Sequence, residues 1–199
     1  MGYTHYWRLP MNYEIPIDKW KKIIEDFDMF LDISRANLTY GTKNSGDDLP
    51  LRNLLEDKSD QAYRINESEV WFNGREENDQ GHETFWFTRK CPSRRSVDPD
   101  KWFAFCKTAH KPYDEIVCCF LLIAKKHLGD MIVVSSDGDW FDWLPTFENM
   151  DCLDEKYFTR NGYGADRLSH KEAKNLDKSD LMEVTYTFDT EGRMVELFR

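Results

Sequence analysis

The chain has 199 residues, of which 40 % are hydrophobic and 15 % aromatic, enough for one good core with an added segment. Its net charge of −10 argues against a general nucleic-acid binder, because phosphates would be repelled, although a local basic patch stays open to an anion. No apolar run reaches the roughly 20 residues of a membrane span, and the first ten residues show no charged-then-apolar leader.

Gly2 to Leu9 alternates, with Tyr3, His5 and Trp7 on one side and Thr4, Tyr6 and Arg8 on the other. Aromatics at period two predict a strand, ended by Pro10. Ile17, Trp20, Ile23, Ile24, Phe27, Phe30 and Leu31 then form one helical stripe, and Asp18 is its expected N-cap, so a helix is predicted over 18–31. From 34 to 67 the pattern weakens into a long variable loop region, with a short helix opening at Pro50. Glu69–Phe72 and His82–Arg89 read as two strands of a hairpin around NGREENDQG.

Asp98 and Pro99 have the form of an N-cap and first helical residue, which predicts a short helix through Trp102, Phe103 and Cys106. Pro112 opens a second, central helix. Asp114 and Glu115 sit in its first turn, Lys125, Lys126 and His127 in its last, and Gly129 stops it, the charge order that the helix dipole favours. Its middle, Ile116–Ala124, is the strongest core signal in the chain. Met131–Val134 follows as a strand, then SSDGD as a turn, with Asp139 expected to cap a short helix carrying Trp140, Phe141 and Trp143.

The last fifty residues differ in texture. Ser169 and Glu172 make a capping box, and MEVTYTFD and MVELF alternate around DTEG with Gly192 in the turn. The expected organisation is an α+β core domain over 1–150 and a C-terminal extension over 151–199 with a short helix and a β-hairpin. Strand, helix, strand, strand, helix, strand is the order of a ferredoxin-like, split βαβ fold with a mainly antiparallel sheet and helices on one face. Its expected core includes Ile24, Phe27, Phe85, Phe87, Val117, Phe120, Ala124 and Val133. In that topology the start of the first strand meets the KTAHKPYD and SSDGD turns at one edge, and His82 and Glu83 lie at the opposite edge.

MGYTHYW, FNG, HETF, FCKTAHKPYD and SSDGDW together resemble a family of small uncharacterised bacterial and phage proteins, over roughly residues 1–145. The resemblance implies a cytoplasmic domain and brings no catalytic residues with it.

The predicted edge gathers the chemistry. His5, Lys107, Thr108, His110, Lys111, Ser135, Ser136 and Asp137 are the candidate ligand-binding residues. A helix N-terminus and two lysines suit a phosphate or carboxylate, and His5 is placed to act as a base. The hydroxyls and carboxylates of SSDGD suit a divalent cation or a sugar hydroxyl. A solvated turn, a half-buried packing histidine and, for SSDGD, an Asx turn with a helix cap are the bland counterparts of these readings. No P-loop, EF-hand, H-E-x-x-H or C-x-x-C is present, so neither a cofactor nor a metal centre is expected from motifs, and no catalytic group is assigned. Cys106 with His110 forms a weak thiol–imidazole pattern, while Cys118 and Cys119 read as small core residues. Five cysteines, two of them adjacent, argue against a disulfide framework and for reduced thiols in a cytoplasmic protein. The expected function is a binding module for a small anionic or nucleotide-like ligand. Its alternatives are an interaction module for another protein, in a phage–host setting among others, and a general acid–base hydrolase.

Overall fold

Trp7, Leu9 and His5 point inward from the first strand, β1 (Thr4–Pro10), while Tyr6, Arg8 and Pro10 face outward. The alternation read from the sequence holds from His5 onward; Thr4, of the outward set, is buried. The computed structural model describes residues 2–33, 50–58, 62–92, 100–138, 142, 143 and 146, and two strands near the C-terminus. The 34–49 part of the expected loop region lies outside the described residues, as do Asp98, Pro99, Asp139 to Phe141 and the 169–172 capping box.

The first helix, α1 (Ile17–Ile33), buries Trp20, Ile23, Phe27, Phe30 and Leu31, the stripe that its period predicts. Asp18 lies inside its first turn, not at the cap, and still complements the dipole there. Leu51–Leu54 is a single 3-10 turn. Three strands then form an antiparallel sheet: β2 (Arg64–Ile65), β3 (Glu69–Phe72) and β4 (Phe85–Thr88), with Phe72 opposite Phe85.

Lys101–Lys107 is a strand, β5, and not the expected helix. Trp102, Phe103 and Cys106 fit a helical spacing, but Trp102 and Cys106 also share one face of a strand. Pairing with β1 decides it, in a register from Thr4↔Lys107 to Pro10↔Lys101. The central helix, α2 (Asp114–Leu128), is buried from Ile116 through Lys125, and Gly129 closes it at φ 57. Lys125 is tolerated there because its ammonium donates to the carbonyls of Gly129 and Ile132, at 3.0 Å each. After α2, the strand β6 (Val133–Ser136) returns to β1, antiparallel to it.

The second sheet thus has the order β5-β1-β6. Since β5 and β6 are both antiparallel to β1, they are parallel to each other, with α2 as the crossover and β1 between them. The molecule is of the α+β class, with two small antiparallel sheets around one core. Near the C-terminus β7 (Thr185–Phe188) and β8 (Met194–Leu197) pair antiparallel. None of the described helices is long and apolar enough to cross a membrane.

Aromatic rings join the layers. Phe120 of α2 lies 5.0 to 5.2 Å from Phe27, Phe85 and Phe87, and Trp7 of β1 lies 5.1 Å from Phe85. Burying each such side chain contributes about 1.5–3 kcal/mol. The expected core residues Phe27, Phe85, Phe87, Val117, Phe120 and Ala124 are fully buried, and Ile24 partly so. Val133 is 38 % exposed and Val134 is buried instead, because the register with β1 turns Val133 to the outer face.

Candidate functional site

Three segments are bolted together at the start of β1. The amides of Thr108 and Ala109 both donate to the carbonyl of Tyr3, at 3.0 and 3.1 Å, and the amide of Asp137 donates to that of Thr4 at 3.0 Å. The edge convergence follows from the ends of β5 and β6 meeting the start of β1, with β5 in the position that the sequence order assigned to β4. His82 and Glu83 are not at the opposite edge. The Glu83 amide donates to the Lys107 carbonyl at 3.2 Å, and its carboxylate accepts the Lys107 amide at 2.8 Å.

At the centre is His5, with no exposed surface. Its Nε2 lies 2.7 Å from Oδ1 of Asp114, and the hydroxyl of Thr108 donates to the same oxygen. Asp114 and Cys118 stand one turn apart on α2, and the Cys118 sulfur is 3.5 Å from Nε2. The His5 ring is held edge-on by Tyr3 at 5.0 Å and by Trp143 at 5.1 Å. His110 stacks on the outer side of Tyr3, 3.7 Å between centroids. Two buried polar atoms in this group have no hydrogen-bond partner, Nδ1 of His5 and the hydroxyl of Tyr3. The Ser136 hydroxyl is near enough to Tyr3 to favour its ionised form slightly, without forming a bond of ordinary geometry. Burial outweighs it and, with Cys118, Asp114 and Asp142 adding, pushes the Tyr3 hydroxyl far up, so it stays protonated.

The turn before α2 is strained. Ala109 and His110 both have left-handed backbones, φ 52 and 56, and the Lys111 amide closes the turn on the Thr108 carbonyl at 3.0 Å. Non-glycine residues pay for such a conformation, and strain of this kind gathers at functional sites. Gly138 is the other special position: a Cβ there would stand 2.3 Å from the Tyr3 oxygen.

No family model, no curated protein and no solved structure matches this chain. Function must therefore be argued from the geometry.

Of the eight expected residues, His5 and Thr108 are in the hydrogen-bonded centre, with His110 stacked on the Tyr3 ring and Ser136 beside its hydroxyl. Lys107 and Ser135 sit opposite Thr4 and Tyr6, residues next to His5 on β1. Asp137 accepts the Tyr6 hydroxyl at 3.0 Å. Lys111 turns away and pairs with Asp79. A cleft of about 430 Å³ opens elsewhere, beside Trp71, Glu76, Asp79 and His82, and none of the eight lines it. Sequence reasoning missed Tyr3, Asp114 and Cys118. The i, i+4 spacing of Asp114 and Cys118 was the available signal that both share one helix face.

Cys118 is not an activated nucleophile. Asp114 and Cys118 address the same nitrogen, whereas a relay needs the carboxylate on one and the thiol on the other. Burial first, then the Asp114 and Glu115 charges, raise the Cys118 thiol well above its usual value. Cys106 does not pair with His110; its thiol faces the Glu83 carbonyl and the Tyr113 hydroxyl, and burial pushes it up to about 12. His5, Asp114 and Cys118 do place ligand-type atoms within 4.8 Å of one another. The 2.7 Å between nitrogen and oxygen is a hydrogen-bond distance, however, and donors on a tetrahedral zinc stand roughly 3.3 Å apart. The geometry fits a hydrogen-bonded dyad better than a metal centre.

Proposed function

We propose that the protein is a small-ligand-binding module whose ligand is seated on the buried His5–Asp114 centre. One observation carries this: Nδ1 of His5 and the Tyr3 hydroxyl are both buried and unpartnered, on rings 5.0 Å apart. Buried polar groups are nearly always satisfied, so two open ones side by side mark a place for a polar guest. With Nε2–H of the neutral ring donating to Asp114, Nδ1 keeps a lone pair to accept a hydrogen bond, while protonated Tyr3 donates one. A ligand group with one donor and one acceptor satisfies both. Asp114 and Glu115 already supply negative charge at the α2 N-terminus. An anionic part of the ligand, nucleotide-like or otherwise, is therefore not met by the helix.

The same geometry favours a second reading, general acid–base hydrolysis. A carboxylate orients one nitrogen of the histidine and leaves the other open, as a general base requires. The ferredoxin-like reading of the fold belongs with these proposals and is supported by the β5–α2–β6 crossover around β1. So does the family resemblance: MGYTHYW, FCKTAHKPYD and the described part of SSDGDW are the segments that meet here. A cytoplasmic setting suits the four described cysteines, all free.

A thermal-shift screen of nucleotides and small organic acids tests the binding reading. A ligand at a hundred times its Kd stabilises by about 2.7 kcal/mol, a rise of roughly 5 °C or more for a chain of this size. The rise is expected in the wild type and absent in His5→Phe, which keeps a ring in the aromatic clamp. A ligand that shifts both proteins equally binds elsewhere and removes the reading.

A further inference from the structure

We propose that the outer face of the β5-β1-β6 sheet binds single-stranded nucleic acid, at a surface separate from the His5 centre. The face is unusual for an antiparallel sheet, whose solvent side is ordinarily polar. Phe105 is 54 % exposed and Val133 38 %, and Phe103 and Tyr6 are half-buried beside them. The register puts Tyr6 opposite Phe105 and Arg8 opposite Phe103. The Tyr6 and Phe103 rings are nearly parallel, 18° apart with centroids at 6.0 Å, and Phe103 and Phe105 are 6.1 Å apart. Three aromatic rings therefore form one platform.

Basic groups rim this platform in a molecule of net charge −10. Arg8 sits over Phe103 at 5.2 Å. Lys101 and Lys107 occupy the two ends of the same β5 row, Lys101, Phe103, Phe105, Lys107, at alternate positions that share one side of the strand. Among the described residues, acidic groups beside this face include Asp137, whose carboxylate accepts the Tyr6 hydroxyl, and Glu83, whose carboxylate accepts the Lys107 amide at 2.8 Å. Rings spaced by alternate strand residues match the separation of splayed bases, and lysines at either end match phosphates. Lys101, Phe103, Ala104 and Phe105 also fall in the order basic, aromatic, small, aromatic of the RNA-reading strand of sheet-platform domains. Trp102 departs from that pattern where glycine is usual, Cys106 where valine is, and Thr108 where a further aromatic is. The negative net charge opposes nucleic acid over the molecule as a whole, but base stacking does not depend on net charge, and Arg8 and Lys107 place positive charge beside the rings.

Anisotropy of fluorescein-labelled ten-nucleotide oligo-U, oligo-dT and a duplex of equal length, titrated with the full chain at low salt, tests this. Both single strands are expected to bind, at least tenfold more tightly than the duplex. Phe105→Ala, at an exposed position that leaves the core intact, is expected to weaken binding by roughly five- to a hundredfold. Lys101→Gln with Lys107→Gln is expected to flatten the salt dependence. Absence of single-strand binding, equal binding of the duplex, or an unchanged Phe105→Ala variant overturns the proposal. So does a dimer in gel filtration that Phe105→Ala dissociates while oligonucleotide binding is absent, which would assign the face to a second copy of the chain.

Discussion

Among the four described cysteines, the environments divide sharply. Cys91 is half-buried, while Cys106, Cys118 and Cys119 are fully buried with thiols held high by desolvation. Alkylation of the native protein is therefore expected at Cys91, with the other three reacting only on unfolding. Peptide mass spectrometry after iodoacetamide treatment reads this directly. Fast native labelling of Cys118 would show an activated thiol, against the raised Cys118 thiol described above. His5 itself illustrates what one residue can hide. Its position in an alternating strand told its face, but its partner Asp114 is 109 positions away.

At the scale of elements, the turn over 108–111 is where local preference and observed backbone disagree. Two consecutive left-handed residues favour Asn-Gly, yet the chain has Ala109 and His110. Each costs about 1–2 kcal/mol in that conformation. Ala109→Gly relieves one of these costs and adds unfolded-state entropy, so a net gain of roughly 0.5–1 kcal/mol is expected in urea denaturation. A loss of stability would show that the Ala109 methyl packs favourably enough to outweigh the strain. The β5 strand teaches a related point. Apolar residues at 102, 103 and 106 fit either period, and only hydrogen bonding to β1 chooses between them.

For the whole molecule, buried neutral acids set the alkaline limit. Tyr13 and Cys106 are raised by burial to about 12, and Tyr3, Tyr113, Cys118 and Cys119 are raised as well. A group whose folded value lies above its unfolded one contributes stability that is fully present below the unfolded value. That contribution is lost as pH rises through the folded value. Unfolding free energy is thus expected to fall from about pH 9 onward, by on the order of a few kcal/mol as pH approaches 12. Urea titrations at pH 7, 9 and 11 check it; a flat profile would mean that these groups are far more solvated than their burial implies.

The sequence by itself determined the elements with long, clear periods: β1, α1, α2 with its charge order and glycine stop, and the β3–β4 pairing. Those signals are local, because side-chain direction follows chain position within a strand or helix. It also pointed to the SSDGD turn at the start of β1, from an antiparallel last strand; the KTAHKPYD turn joins them only because 101–107, read as a helix, pairs with β1. The tertiary structure alone decided that 101–107 is a strand, that Val134 and not Val133 is buried, and that Glu83 lies beside Lys107. It alone placed Asp114 and Cys118 against His5 and left one nitrogen of that histidine open. These depend on which strands neighbour each other and in what register, and hydrogen bonds between residues a hundred positions apart leave no local mark on the chain.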